Sequence, residues 1–500
     1  MSKPSSPSAA SFRPKSLKLS VRKKRPRMNS SALTHLTAAI VFAVVLSASA
    51  PAQDRIGPHE WQEQQAGTLS STAINKHLHP KAADGTLSRI VYGYHPYWRP
   101  DASIDNYRSE LLSHVAYFSY AVDPATGGYS TVRDWLTTPL VDWAKARGVK
   151  VHLCVTNFGS GNNRALLSSQ PARDTLIANL VRMVQARGAD GVNIDFESVP
   201  GSERENMVTF FADLRTRLQA AVPGAEIAVA APAVDWSGSW DLERLKDYID
   251  IFFVMCYDYY WSGASTAGPV APIQGSTYNV TRTLEYYLNE GVPRGQIVMG
   301  VPYYGIDWPV VSDAENSPAT GTGRAFTYAG VKSSFANETE LWSERYLNPW
   351  FSYRPTDWRQ CWYDNATSLE LKYDLSLDLD IGGVGMWALS YDDGHTELWD
   401  LLERKFFIPT GVKAASNATA LSLHVYPQPV DEGQSISVRL QGVSRSQGTS
   451  LRIVDGLGRT VRRLDVPDSG ELEIPGLPAG MYIALLQAGR ERIAARFIVL

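Results

Sequence analysis

The chain has 500 residues, 44% of them hydrophobic and 20% charged, with a formal net charge of −3. That length and composition suit two or three globular domains with sizeable cores. The nearly balanced charge leaves no electrostatic footprint for nucleic acid, so no partner of that class is expected.

The chain opens with a basic run, Arg22-Lys23-Lys24-Arg25-Pro26-Arg27, then an apolar stretch from Ala38 to Leu46 and small residues ending Ala50-Pro51-Ala52. The basic run alone would suit nuclear import, but the apolar core behind it predicts a signal peptide over 1–52, cleaved after Ala52. Met28 is an alternative start that discards the basic run. Residues 53–87 carry little periodicity and read as a linker or N-terminal arm. No later stretch reaches roughly 18 uninterrupted apolar residues, so no transmembrane segment is expected in the mature chain.

From residue 88 to 408 the pattern is regular. Strands are predicted at Ile90–Tyr94, His114–Tyr120, Lys150–Val155, Val192–Phe196, Glu226–Ala231, Ile249–Tyr257, Gln296–Val301 and Gly383–Leu389. Amphipathic helices separate most of them: Leu176, Leu180, Val181 and Val184 have helical spacing and stop at Gly188, and Ser202-Glu203-Arg204-Glu205 reads as a capping box opening a second helix. Eight such strands fit an α/β fold of the closed (β/α)8 TIM-barrel type better than an open sheet.

The fourth strand, within Asp190-Gly191-Val192-Asn193-Ile194-Asp195-Phe196-Glu197, is the most informative. Alternation puts Val192, Ile194 and Phe196 on one face and Asn193, Asp195 and Glu197 on the other. Taken alone, two carboxylates on a strand read as a solvated face, a hard-metal site or a catalytic pair. Their place at the C-terminal end of a barrel strand, where such folds carry their chemistry, favours catalysis.

Between the seventh and eighth strands the chain spends too many residues for one loop, which predicts a small insertion at about 306–365, followed by a helix at about Ala366 to Leu379. Trp342, Trp350, Trp358 and Trp362 either pack this insertion internally or line a sugar cleft. Residues 409–420 read as a linker. From 421 to 500, short alternating runs such as Ile436, Val438 and Leu440 predict a small C-terminal β-sandwich. Cys154, Cys256 and Cys361 are odd in number and lack metal-ligand spacing, so neither a disulfide framework nor a metal or cofactor is implied. Asn279, Asn337, Asn365 and Asn417 each begin an Asn-x-Thr sequon.

Four strand motifs together resemble glycoside hydrolase family 18, the chitinase family. Asp190–Glu197 resembles its Asp-x-Asp-x-Glu signature, Met255-Cys256-Tyr257-Asp258 its Met-x-Tyr-Asp strand, Gly300-Val301-Pro302-Tyr303-Tyr304-Gly305 its seventh strand and Gly385-Met386-Trp387 its eighth. The resemblance implies a retaining hydrolase of β-1,4-linked N-acetylglucosamine glycans, chitin or chito-oligosaccharides, in which the sugar's own acetamido oxygen replaces the usual carboxylate nucleophile. Glu197 is then the general acid and base, Asp195 the acceptor for the acetamido N–H, and Tyr257 the donor to the acetamido oxygen. Asp258 assists, Trp387 floors the sugar, and Asn193, Met255, Tyr94 and Tyr120 complete the substrate-binding wall. Asn193 departs from the triplet's first Asp, so Asp195 is expected to ionise more simply, and the substrate stays open between chitin, peptidoglycan and N-glycan cores. A non-catalytic glycan-binding barrel is the other reading, although such relatives typically lose the carboxylate that Glu197 supplies.

The tail has its own resemblance. Tyr426-Pro427-Gln428-Pro429, Val454-Asp455-Gly456-Leu457-Gly458-Arg459 and Leu477-Pro478-Ala479-Gly480-Met481-Tyr482 are similar to the C-terminal sorting domain of the type IX secretion system. It implies the secretion machinery as a partner and a protein carried across the outer membrane to end secreted or on the cell surface. A monomer is expected.

Overall fold

A computed structural model describes residues 56–69, 85–409 and the strands that lie between 422 and 499. The expected signal peptide, most of the 409–420 linker, Pro427–Pro429 and Gly456–Arg459 lie outside the described residues.

Eight parallel strands form the centre: β1 (Ile90–Pro96), β2 (His114–Val122), β3 (Lys150–Phe158), β4 (Gly191–Glu197), β5 (Glu226–Pro232), β6 (Ile251–Met255), β7 (Ile297–Pro302) and β8 (Gly383–Trp387). Each pairs with the next, and β8 pairs back onto β1, with Val384 opposite Val91, so the barrel is closed. Closure leaves the eight-stranded ring itself without an edge, apart from the short strand Tyr129–Thr131 added antiparallel to β2, and both faces are covered, so the strands are buried almost throughout.

Two helices flank β4. Gln170–Arg187 ends where Gly188 takes the left-handed conformation at φ 55°, as its glycine predicted. Arg204–Ala221 starts differently from the expected capping box. A short 3-10 turn, Gly201–Glu203, precedes it, and the Glu203 carboxylate accepts from Ser202 Oγ and Asn206 instead of capping a backbone N–H. Phe196 packs on Phe210 of this helix at 5.5 Å, which fixes the apolar row of β4 outward and sends the acidic row inward.

The insertion is real and begins earlier than its composition suggested. A five-stranded antiparallel sheet runs from Tyr304–Pro309 to Arg359–Trp362, with the helix Tyr328–Ser334 beside it. Trp350 stacks on Trp362 at 4.9 Å with 6° between the planes, so these two tryptophans serve the insert's own core. At the foot of the barrel, Gly85–Leu87 pairs antiparallel with Phe407–Pro409, tying the domain's entry to its exit.

The C-terminal part forms a three-stranded and a four-stranded sheet. Ile436 and Val438 of one join Leu451, Ile453 and Phe497 of the other in a separate apolar core, which is a sandwich.

Candidate active site

The strand tops converge on β4. Asn193, Asp195 and Glu197 are all buried, at a desolvation cost of several kcal/mol for each charge that is not compensated. Burial, then the neighbouring Asp195, pushes the Glu197 carboxyl up to about 8. Burial also holds Asp195 well above the usual carboxylate range, so the simple ionisation expected of it does not survive the fold. The Glu197 carbonyl is pinned by Asn163 Nδ2 at 2.7 Å and by Gly159 N–H at 3.2 Å, which sets the end of the strand.

The other predicted residues gather around this pair. Tyr94 donates its hydroxyl to Asn193 Oδ1 at 3.0 Å, joining β1 to β4 across the lumen. Tyr257, just past β6, is buried, and burial followed by the charges of Asp195, Glu197 and Asp258 keeps its phenol protonated. Asp258, in a left-handed conformation at φ 56°, accepts from Tyr304 at 2.5 Å, so the first residue of the insert's sheet is bonded to the site. Met255 lies on the same strand face as Phe253, whose ring meets Tyr94 at 4.8 Å. Trp387 closes the floor from β8, with Phe118 at 5.1 Å and Tyr94 at 5.3 Å from its ring. Asp195 Oδ1, Asn193 Nδ2 and Trp387 Nε1 are buried with no hydrogen-bond partner among the described residues.

Tyr120 is not part of this wall. The ladder between β2 and β3 shifts register between Phe118 and Tyr120, an irregularity that upsets simple alternation. Phe118 therefore reaches the lumen, whereas Tyr120 packs on Tyr129 at 5.5 Å beside Asn179 and Arg182. Asp307, the carboxylate next beyond the seventh strand, is also elsewhere, held by Arg359 at 2.6 Å and by Tyr353 at 3.1 Å in the insert.

The sequence reading missed one participant altogether. The segment read as an arm folds into two short helices, α1 (Pro58–Gln64) and α2 (Ala66–Leu69), and carries His59 into the centre of the site. The His59 ring stacks on Trp387 at 3.7 Å and 21°. Its Nδ1 lies 2.8 Å from Asp195 Oδ2 and its Nε2 2.6 Å from the Tyr257 hydroxyl. The backbone N–H groups of His59 and Glu60 each donate to the Glu197 carboxylate at 3.0 Å. The only local signal was Gly57-Pro58 ahead of an aromatic and polar run, which suits a helix start but says nothing of where it docks.

Two clusters bring three metal-capable side chains together: His59, Asp195 and Glu197, and His114, His152 and Glu226. In the first, both imidazole nitrogens are already engaged by Asp195 and Tyr257. In the second, at the foot of the barrel, Glu226 Oε2 bonds both histidines at 3.0 and 3.1 Å, and the Lys150 ammonium binds its other oxygen. That arrangement satisfies the carboxylate without an ion.

The order of motifs around this barrel decides the family. Residues 90–392 match the family described as Glycosyl hydrolases family 18, more than half of the chain. The chain belongs to that family. Residues 424–500 match the Secretion system C-terminal sorting domain, so a type IX sorting domain follows the glycoside hydrolase. The chain is 28% identical over 320 residues to the "Putative sporulation-specific glycosylase YdhD" of Bacillus subtilis (strain 168), covering 61% of this chain and 72% of that one. It is 25% identical over 310 residues to the "Cortical fragment-lytic enzyme" of Bacillus anthracis, covering 60% and 69%. Among solved structures, a family GH18 chitinase from Cycas revoluta in complex with allosamidin superposes with a TM-score of 0.57 at 20% identity, over 63% of this chain and 99% of that one. Human YKL-39, described as a pseudo-chitinase with retained chitooligosaccharide binding, gives 0.58 at 17%, over 64% and 99%. These two likenesses are of fold. The family 18 barrel is chitinase-like and hydrolytic in type, and no helix among its described residues is long and apolar enough to cross a membrane.

Proposed function

We propose that this protein is an exported hydrolase of β-1,4-linked N-acetylglucosamine glycans that works with retention and with substrate assistance. The observation that carries the reading is that Asp195, Glu197 and Tyr257, each buried and each with a polar group suited to one part of an N-acetylated sugar, converge on the space above the Trp387 ring where His59 lies. A pyranose lies flat on Trp387, which contributes apolar contact without dictating a hydroxyl pattern. The acetamido N–H donates to Asp195 and the acetamido oxygen accepts from the Tyr257 O–H, which holds that oxygen under the anomeric carbon. Glu197, kept protonated by its raised pKa, gives its proton to the leaving glycosidic oxygen as the acetamido oxygen forms its bond to carbon. The resulting oxazolinium carries positive charge, which favours the ionised form of the adjacent Asp195. Glu197, now ionised, takes a proton from the water that reopens the ring, and configuration is retained.

Asp307, the carboxylate next beyond the seventh strand, is committed to Arg359 and Tyr353 and so offers no rival nucleophile. Export is proposed from the sorting domain together with the basic and apolar leader. The substrate divides between chitin-type and peptidoglycan glycans, and relatives named for cortex lysis favour including the second.

The test is turnover of chitohexaose and of purified peptidoglycan, followed by reducing-end release and product length, on the full chain and on His59→Ala, which frees the occupied position. Glu197→Gln in either background should lower the rate by at least about a hundredfold, the lower end for losing a positioned proton donor. Comparable turnover by Glu197→Gln, or equal cleavage of a fully de-acetylated oligomer, overturns the mechanism.

A further inference from the structure

The segment Gly57–Leu69 meets the site as a ligand would. A neutral imidazole offers one N–H donor and one lone-pair acceptor on opposite sides of a flat ring, and an acetamido group offers the same pair. His59 presents them to Asp195 and Tyr257 while its ring covers the face of Trp387. Burial holds this imidazole down at about 4, against the opposing charges of Glu197 and Asp258, so it is uncharged in the bound form. The two backbone N–H groups on Glu197 occupy the carboxylate that a glycosidic oxygen would otherwise meet.

The rest of the segment is fastened along the same cleft. Gln62 accepts from the Tyr391 hydroxyl at 3.3 Å, and Glu63 pairs with Arg133 at 2.9 Å while that guanidinium lies 3.9 Å over Tyr97. The Leu69 carbonyl accepts from Arg99 at 3.0 Å. Trp61 and Leu69 are buried in the main core cluster. A segment that merely crossed the surface would not engage Asp195, Glu197 and Tyr257 together.

We propose that Gly57–Leu69 is an intramolecular inhibitor, in which His59 stands in for the N-acetyl group of the bound sugar and the exported enzyme stays latent until the segment is cut from the barrel or displaced by glycan. The inference rests on the function proposed above, because the mimicry is defined by the sugar that the site takes. Covalent attachment keeps the inhibitor at an effective concentration on the millimolar scale, and a cut between Leu69 and Gly85 removes that advantage. Cleavage of the leader after Ala52 leaves the inhibitor attached, so activation is a separate event from export.

The experiment uses the full chain with a site-specific protease sequence placed within residues 70–84. Chitohexaose and peptidoglycan turnover are measured before cutting and after cutting with dilution, alongside His59→Ala uncut. Amide exchange at His59 and Glu60 is followed in the uncut chain with and without chitotetraose. Expected are protected amides that lose protection with chitotetraose, and a rise in turnover of at least about fivefold on cutting and in His59→Ala, the factor for losing two hydrogen bonds between neutral groups. Freely exchanging amides, or equal turnover by the uncut, cut and His59→Ala forms, overturn the inhibitor. Protected amides with no turnover by any form overturn the hydrolase reading while leaving the occlusion standing.

Discussion

Gly57→Ala adds one methyl group at the tightest point between the N-terminal segment and the barrel. The new Cβ would lie 2.0 Å from Glu197 Oε2, 2.4 Å from its Cδ and 2.8 Å from its Cβ, where carbon atoms settle at about 3.5–4.0 Å. A swing of the carboxylate could relieve the first two contacts, but the Glu197 Cβ belongs to β4 and cannot retreat. Gly57 has an ordinary φ of −68°, so alanine introduces no backbone strain of its own. The segment must lift, losing the two N–H bonds to the protonated Glu197 carboxyl, each worth about 0.5–1.5 kcal/mol. Even the smaller sum, about 1 kcal/mol, shifts the docked-to-open ratio by about fivefold. Amide protection at His59 and Glu60 should fall by that factor, and chitohexaose turnover should rise toward that of the cut chain. Unchanged protection and unchanged turnover in Gly57→Ala would refute the packing on which this rests.

The pH dependence follows from Glu197. Its proton is present below its pKa and lost above it, and burial with Asp195 beside it raises that pKa, so kcat/KM of the His59→Ala chain should decline only above the ordinary carboxylate range; an alkaline limb within that range would contradict the burial argument. Lys372 is wholly buried against Asp364, whose carboxylate also accepts from Ser368 at 2.6 Å and Asn348 at 2.9 Å. Lys372→Met strands that charge and should destabilise the barrel by about 3–5 kcal/mol in a denaturant titration, whereas an unchanged midpoint would show that the pair contributes little.

The barrel was legible because its strands are short apolar runs and its helices have helical spacing, and both patterns arise from burial on two sides. The acidic row of β4 was legible for the same reason: Val192, Ile194 and Phe196 had to face the helices, which left Asn193, Asp195 and Glu197 to the lumen. What failed depended on events outside the local pattern. Tyr120 missed the cleft through a register shift against β3, and Ser202 lost its capping role when Glu203 found side-chain partners. His59 was invisible because its four partners, Asp195, Glu197, Tyr257 and Trp387, lie on or just past three different strands, with separations of 136 residues to Asp195 and 198 to Tyr257, and nothing in a seven-residue helix encodes such a destination.

The ribbon between Gly85–Leu87 and Phe407–Pro409 also bears on how the enzyme is held. It sits where the barrel strands begin, whereas Glu197 and Trp387 sit where they end, so the tail departs from the pole opposite the mouth. A barrel held through its exit strand is therefore held by its base, with the rim left clear.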